Sequence, residues 1–275
     1  MAQLLGVNIT ALGATAMRAR HLIVDGEPKI LNDRFAKLLL GLEDQVIRAL
    51  TAGGADDPTI ASAWVLRSRY AEDRLAAALT RGATQYVLLG AGLDSYALRE
   101  AEAKSELLIF EVDDPSLQQW KRDRIGELNI SLPKSVRFAP CDFETTSIRD
   151  SLETVGFDRG SPTVVSWLGV TQYLTPAAIS ETLGWAATLA SGSEIVLTYV
   201  LPGPTAEKQK AMLAARGMRF ETFFTPDAIG DLLAQAGLKD IYHLTPERAQ
   251  AQYFAGRSDG LVAPESERLV VARSP

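Results

Sequence analysis

Apolar residues along the chain fall into two textures. Through residues 1–80 they are spaced at helical intervals, with Asn32 and Asp33 standing where a helix cap is wanted and Pro58 opening a segment in which Ile60, Trp64, Arg67 and Leu75 lie near helical spacing. Beyond residue 81 the pattern changes to short apolar runs at 85–89, 107–112, 136–139, 163–168 and 194–200, separated by helical stretches. That alternation predicts a parallel sheet with crossover helices. Two further runs at 240–243 and 268–272 bring the expected count to about seven strands. The expected architecture is α/β: a doubly wound, Rossmann-like, mostly parallel sheet over residues 81–275, helices on both faces, and a helical cap formed by residues 1–80. The Gly-, Pro- or Asp-rich stretches at 52–58 and 201–205 are too short to part domains, so one domain over 1–275 is expected.

Composition narrows the function classes. A net charge of −6, with Lys and Arg scattered among acids, gives no electrostatic footprint for nucleic acid. One cysteine, Cys141, excludes an intrachain disulfide, and two histidines, His21 and His243, offer no zinc-like cluster, so no metal is expected. No stretch reaches the roughly 18 uninterrupted apolar residues of a membrane span. A cytoplasmic protein acting on a small molecule is the expectation, and oligomeric state is not legible.

In open sheets of this kind ligands lie beyond the carboxyl ends of the strands. The first such loop reads Gly90-Ala91-Gly92-Leu93-Asp94, where glycines allow a tight turn and close backbone approach. About 20 residues on, Glu111-Val112-Asp113 ends the next run, where a carboxylate can accept both ribose hydroxyls of an adenosine; the competing role for Asp113 is a helix cap ahead of Pro115. A dinucleotide fingerprint wants a third glycine where Ser95 stands, and Asp94 at the start of the next helix would repel a diphosphate. S-adenosylmethionine, with a sulfonium, an ammonium and one carboxylate, suits this charge set better than NAD. Arg67 is the candidate for its carboxylate, against a plain solvated helix charge. The third strand ends in Cys141-Asp142-Phe143, an acid and an aromatic that suit an adenine, with turn stabilisation the other role for Asp142.

These residues resemble the leucine carboxyl methyltransferases and their bacterial relatives, which include polyketide and other natural-product O-methyltransferases. The likeness covers nearly the whole chain: Arg67, Asp73 and Leu75; the run 85–94 with Arg99; Glu111-Val112-Asp113-Asp114-Pro115; Lys121-Arg122; Pro162-Thr163; Gly169-Val170-Thr171-Gln172-Tyr173-Leu174; and 253–261. The resemblance implies the class I methyltransferase fold and an S-adenosylmethionine cofactor. It implies Arg67 on the cofactor carboxylate, Gly90, Ala91, Gly92 and Asp94 at the methionyl part, Asp113 on the ribose, and Asp142 with Phe143 at the adenine. Arg18 matches a basic position near the cofactor, with Arg20 as its competitor. Where the family carries Glu before Gly-Val, this chain has Leu168, which accepts no hydrogen bond; the usual Asp-Thr-Arg reads Asp94-Ser95-Tyr96.

Methyl transfer from a sulfonium is a direct displacement, so the protein's task is to hold an acceptor oxygen in line inside a dry pocket. A carboxylate acceptor is already ionised and needs no base, and that is the expected class, of natural-product type. A hydroxyl acceptor would gain from a positioned base, and a non-catalytic cofactor-binding protein of the same fold is a third reading, motivated by Leu168. Tyr173 and Tyr253 are the candidates for orienting the acceptor, or else ordinary buried tyrosines. Both histidines are expected to be structural. Residues 202–224 are expected to form a lid, or a surface crossover helix.

Overall fold

The computed structural model describes residues 8–55, 57–100, 104 and 106–275. The first seven residues of the expected helical cap lie outside them. Four helices come first: α1 (Ile9–Val24), α2 (Arg34–Leu40), α3 (Asp44–Ala55) and α4 (Pro58–Leu79). Local chemistry sets their starts. Asn8, Asp33 and Asp57 each accept a backbone N–H in the first turn of α1, α2 and α4, and Pro58 follows its cap at the position that needs no N–H donor. Of the two cap candidates, Asp33 takes the role.

The sheet follows as β1 (Gln85–Leu89), β2 (Leu108–Asp113), β3 (Val136–Pro140), β4 (Thr163–Trp167), β5 (Glu194–Val200), β6 (Lys239–Leu244) and β7 (Glu267–Arg273). Their order is β3-β2-β1-β4-β5-β7-β6, parallel throughout except β7, which runs antiparallel to both β5 and β6. All five residues of β1 and β4 and all seven of β5 are buried, as strands covered on both faces must be. Alternate residues serve opposite layers. Val87, Leu89, Val165, Trp167 and Leu197 pack with α7 (Ile148–Thr154), α8 (Pro176–Ala187) and α10 (Pro226–Gln235). Tyr86, Leu88 and Val164 share a cluster with α4 and with α5 (Tyr96–Glu100), and Val196 packs against α4 and α1. The remaining helices are α6 (Pro115–Glu127), α9 (Pro204–Ala214) and α11 (Pro246–Ala249).

Two features aim this frame at a site. Strand order reverses between β1 and β4, so the loops after them diverge and leave a crevice at the carboxyl edge. Because β7 runs the other way, its first residue, Glu267, stands beside Val200 at the end of β5 and reaches that same edge. Among the described residues no helix is long and apolar enough to cross a membrane.

Candidate active site

A cavity of about 400 Å³ lies at this edge. Gly90, Ala91, Gly92, Asp94, Asp113, Phe143, Leu168 and Tyr173 line it, together with Arg18 from α1 and Arg67 from α4. Ten of the twelve residues singled out from the sequence therefore meet in one place.

The glycine loop is held by the neighbouring strand. The N–H groups of Gly90 and Ala91 both donate to the Val112 carbonyl, at 2.8 and 3.1 Å, and Gly92 N–H donates to the Asp113 carboxylate. Gly90 has φ +66°, and a Cβ there would lie 2.4 Å from a methyl of Val170, so neither the conformation nor the space admits a side chain. Asp94 accepts from Tyr96 N–H, at the start of α5, at 2.7 Å. Asp113 is not a helix cap; that role falls to Asp114, which accepts from Ser116 and Leu117 at the start of α6. Burial pushes the Asp113 carboxyl up, against the lowering effect of the N–H groups of Gly92 and Asp114. Beneath it, Lys121 and Glu111 form a fully buried pair at 2.5 Å.

Behind the loop a second network ties in the helical cap. Arg18 donates to the Leu93 carbonyl at 2.7 Å and to Asp33 at 2.8 Å, while Asp33 also accepts from Ser95 Oγ at 2.5 Å. Arg99 joins through Ser95 Oγ at 3.0 Å and pairs with Glu72. Burial alone would raise the Asp33 carboxyl, but Arg18, Arg99 and the Ser95 hydroxyl outweigh it and hold the group below its ordinary value. Arg20, the alternative to Arg18, points instead to Asp25 at 3.5 Å.

Arg67 is buried. Its guanidinium stacks 4.4 Å above the Trp64 ring and pairs with Glu267 at 3.1 Å. Gly169 makes room for it: at φ +71°, a Cβ on this residue would sit 2.4 Å from Arg67 Nη1. Gly169 N–H donates to Thr198 Oγ1 at 2.7 Å, fixing the turn that follows β4. Leu168 lines the cavity and packs against the apolar cluster shared by α4 and β7. Tyr173 lies in a short 3₁₀ turn, Thr171–Tyr173, edge-on to Phe220, and burial raises its hydroxyl, with Arg67 and a hydrogen bond from Gln172 acting the other way.

Two expected residues do not join the cavity. Asp142 accepts from Glu144 N–H at 3.0 Å and shapes the loop, leaving Phe143 alone to face the cleft. Tyr253 donates to Asp73 at 2.9 Å and packs edge-on to Tyr70. Its motif folds back on the helical cap, where Arg257 donates to the carbonyls of Pro28 and Gly26 and Asp259 accepts from Gly26 N–H. The histidines lie outside the cavity lining: His21 contacts Asp25 at 2.6 Å and accepts the Ile30 N–H at 3.0 Å, and His243 sits 3.1 Å from the Tyr199 hydroxyl. Residues 202–224 contain α9, and the chain after it contributes Met218 and Arg219 to the cavity. Among the participants to which sequence reasoning gave no site role are Trp64, Gly169 and Glu267. A signal for Glu267 existed only in the start of the last apolar run, once that run is known to be antiparallel.

The family model of the leucine carboxyl methyltransferases matches residues 11–187. The chain belongs to that family. Among its relatives is YktD of Bacillus subtilis (strain 168), provisionally named an S-adenosyl-L-methionine-dependent methyltransferase; the two are 35% identical over 218 residues, 75% of this chain and 70% of the relative. A Mycobacterium sp. (strain JLS) protein with the same provisional name is 28% identical over 74% of this chain and 68% of its own. Two solved structures share the fold. A DUF574 family protein from Streptomyces avermitilis superposes with a TM-score of 0.59 at 18% identity, over 94% of this chain and 97% of that one. A protein from Thermobifida fusca provisionally described as a methyltransferase gives 0.58 at 17%, over 86% and 92%. Family membership makes the chain an S-adenosylmethionine-dependent methyltransferase of the Rossmann-like class I fold. The residues present fit that cofactor: a glycine turn whose Gly90 has no room for a side chain, a carboxylate at the β2 tip and a buried guanidinium face one cavity of small-ligand size.

Proposed function

We propose that this chain transfers a methyl group to an oxygen of a small molecule. The observation that carries the reading is the convergence of Arg67, the Gly90–Gly92 backbone and Asp113 on one cavity. S-adenosylmethionine supplies, when bound, an electrophilic methyl on a positively charged sulfur. The protein does the rest by position. Arg67, kept flat by Trp64 and Gly169, grips the methionyl carboxylate; Asp113 accepts the ribose hydroxyls; Phe143 borders the adenine; Gly90, Ala91, Gly92 and Asp94 surround the methionyl part. Arg18 acts through the Leu93 carbonyl as a brace of the loop. Leu168 closes the wall with apolar surface where relatives place a carboxylate, and Tyr173 orients the acceptor from the opposite turn. The segment containing α9 acts as a lid that excludes water, latched by the exposed pair Arg219–Glu144. The resemblance on its own favours a carboxylate acceptor and a place in secondary metabolism. A hydroxyl acceptor is the second reading, favoured by the unpaired carbonyl oxygen of Gln172.

Isothermal calorimetry with S-adenosylhomocysteine tests the cofactor site. Arg67→Ala and Asp113→Ala are each expected to cost about 2–3 kcal/mol of affinity, the worth of a hydrogen bond to a charged group, or roughly 30- to 150-fold. A wild-type chain that gives no binding heat by titration and no shift in melting temperature with the ligand would falsify the reading.

A further inference from the structure

The cofactor cleft opens into an adjoining chamber of about 200 Å³; Thr10, Trp64, Arg67 and Tyr173 line both. Apolar side chains dominate its walls, among them Ile60, Leu213 and Phe220. An apolar cavity of about 150 Å³ accommodates benzene, so this chamber has room for one substituted ring. Its polar groups are unevenly matched. Gln172 is buried at 5% exposure, and its Oε1 has no hydrogen-bond partner. Glu267 is the one carboxylate among the described residues that line the chamber. Arg67 is already paired with Glu267 and stacked on Trp64, and Arg216, the remaining cation of the wall, is exposed beyond the end of α9. Among the described residues of its wall the chamber thus holds one acceptor in need of a donor, Gln172 Oε1, one carboxylate that accepts from Arg67, and no free buried cation. A carboxylate brings only lone pairs and a charge like that of Glu267, whereas a neutral hydroxyl brings the missing donor.

We propose that this chamber holds the acceptor, and that the acceptor is an uncharged, apolar hydroxyl compound about one ring in size, its O–H met by Gln172 Oε1 and Glu267. The proposal rests on the cofactor reading above. As the hydroxyl oxygen forms its bond to the methyl carbon, the carbon–sulfur bond breaks with its electron pair on sulfur, and the hydroxyl proton passes to the Glu267 carboxylate. A sulfonium, an alcohol and a carboxylate become a thioether, a methyl ether and a carboxylic acid.

Calorimetry on the full chain saturated with S-adenosylhomocysteine, titrated at pH 7 with 4-methylphenol or with 4-methylbenzoate, separates the two acceptor classes on one ring. The phenol is expected to bind at least tenfold tighter. Glu267→Gln should shrink that preference below threefold and slow methyl transfer to the phenol about 100-fold, the scale of a positioned proton acceptor. Gly13→Leu adds a side chain to open space on the chamber wall and favours the α1 helix, so it should weaken the phenol at least fivefold and leave S-adenosylhomocysteine within twofold. Benzoate binding equal to or tighter than phenol overturns the proposal. So does phenol binding indifferent to Gly13→Leu, and so does failure of both rings on a chain that binds S-adenosylhomocysteine. Failure to bind S-adenosylhomocysteine itself brings down the cofactor reading as well, and is told apart by that first titration.

Discussion

On the glycine-loop side of the cleft, the charged groups are matched before any ligand arrives. Arg18, Asp33, Ser95, Arg99 and Glu72 form one chain of contacts drawn from the helical cap and α5, and the loop's own N–H groups are bound to β2. On the α9 side the opposite holds. Of eleven residues in α9 only Ala206 and Leu213 are buried, its N-cap Gly203 provides no side-chain bond, and Gln172 keeps an unsatisfied carbonyl. The difference separates two tasks. A cofactor of fixed shape and charge is met by a prefabricated surface, which lowers the ordering cost of binding. The α9 side, where we propose that the acceptor sits, keeps its polar capacity in reserve and its helix lightly seated, as an element proposed to open for exchange should be.

Breaking the prefabricated side should have the largest effect. Asp33→Ala leaves Arg18, Arg99 and the Ser95 hydroxyl without their shared partner, and removing one member of a buried charge network costs about 3–5 kcal/mol. Urea unfolding measures it; a loss under 1 kcal/mol would show that the network is decorative. The same carboxylate sets a pH dependence. Its folded value lies below the ordinary 3.8, so its contribution is fully present above that pH and is lost as the pH falls through the folded value. The stability gap between wild type and Asp33→Asn should therefore close only below about pH 4, in melts at stepped pH.

Gly169→Ala tests the seam between the two sides. The residue is in the left-handed region and its new methyl would collide with Arg67, so a stability cost of about 1–2 kcal/mol is expected. Displacing the guanidinium should also weaken S-adenosylhomocysteine about tenfold, a loss on the scale of one hydrogen bond to a charged group. Unchanged affinity would mean that Arg67 does not hold the cofactor. The smallest effect belongs to α9, the proposed lid. Met212, an exposed residue of α9, should tolerate Met212→Ala within about 0.5 kcal/mol in thermal melts; a larger loss would show α9 to be an integral part of the core.

Local signals carried most of this architecture. Predominantly apolar runs located β1 and β5 to the residue, because strands buried on both faces admit few polar side chains, and Pro58 marked the start of α4. Gly90, Gly92 and Asp113 were legible because a turn, a close approach and a strand tip follow from neighbouring residues. Relations across the chain were not. Arg67 and Glu267 are 200 positions apart and meet only because β7 reverses direction. Tyr253 sits in a motif that resembles the family's, yet packs against α4 and hydrogen-bonds Asp73; nothing in its neighbours says which surface it turns to. Asp142 and Phe143 are adjacent and face different ways, one to a turn and one to the cleft.

The reversed strand also fixes an order of assembly. On a ribosome, β1 to β5 emerge in an order that lets each find a partner as it appears or soon after, whereas β6 has no neighbour but β7 and waits unpaired until the last strand slides between it and β5. That late arrival carries Glu267. A nascent chain can thus shape its nucleoside cradle well before it can close the wall against which a hydroxyl compound would react.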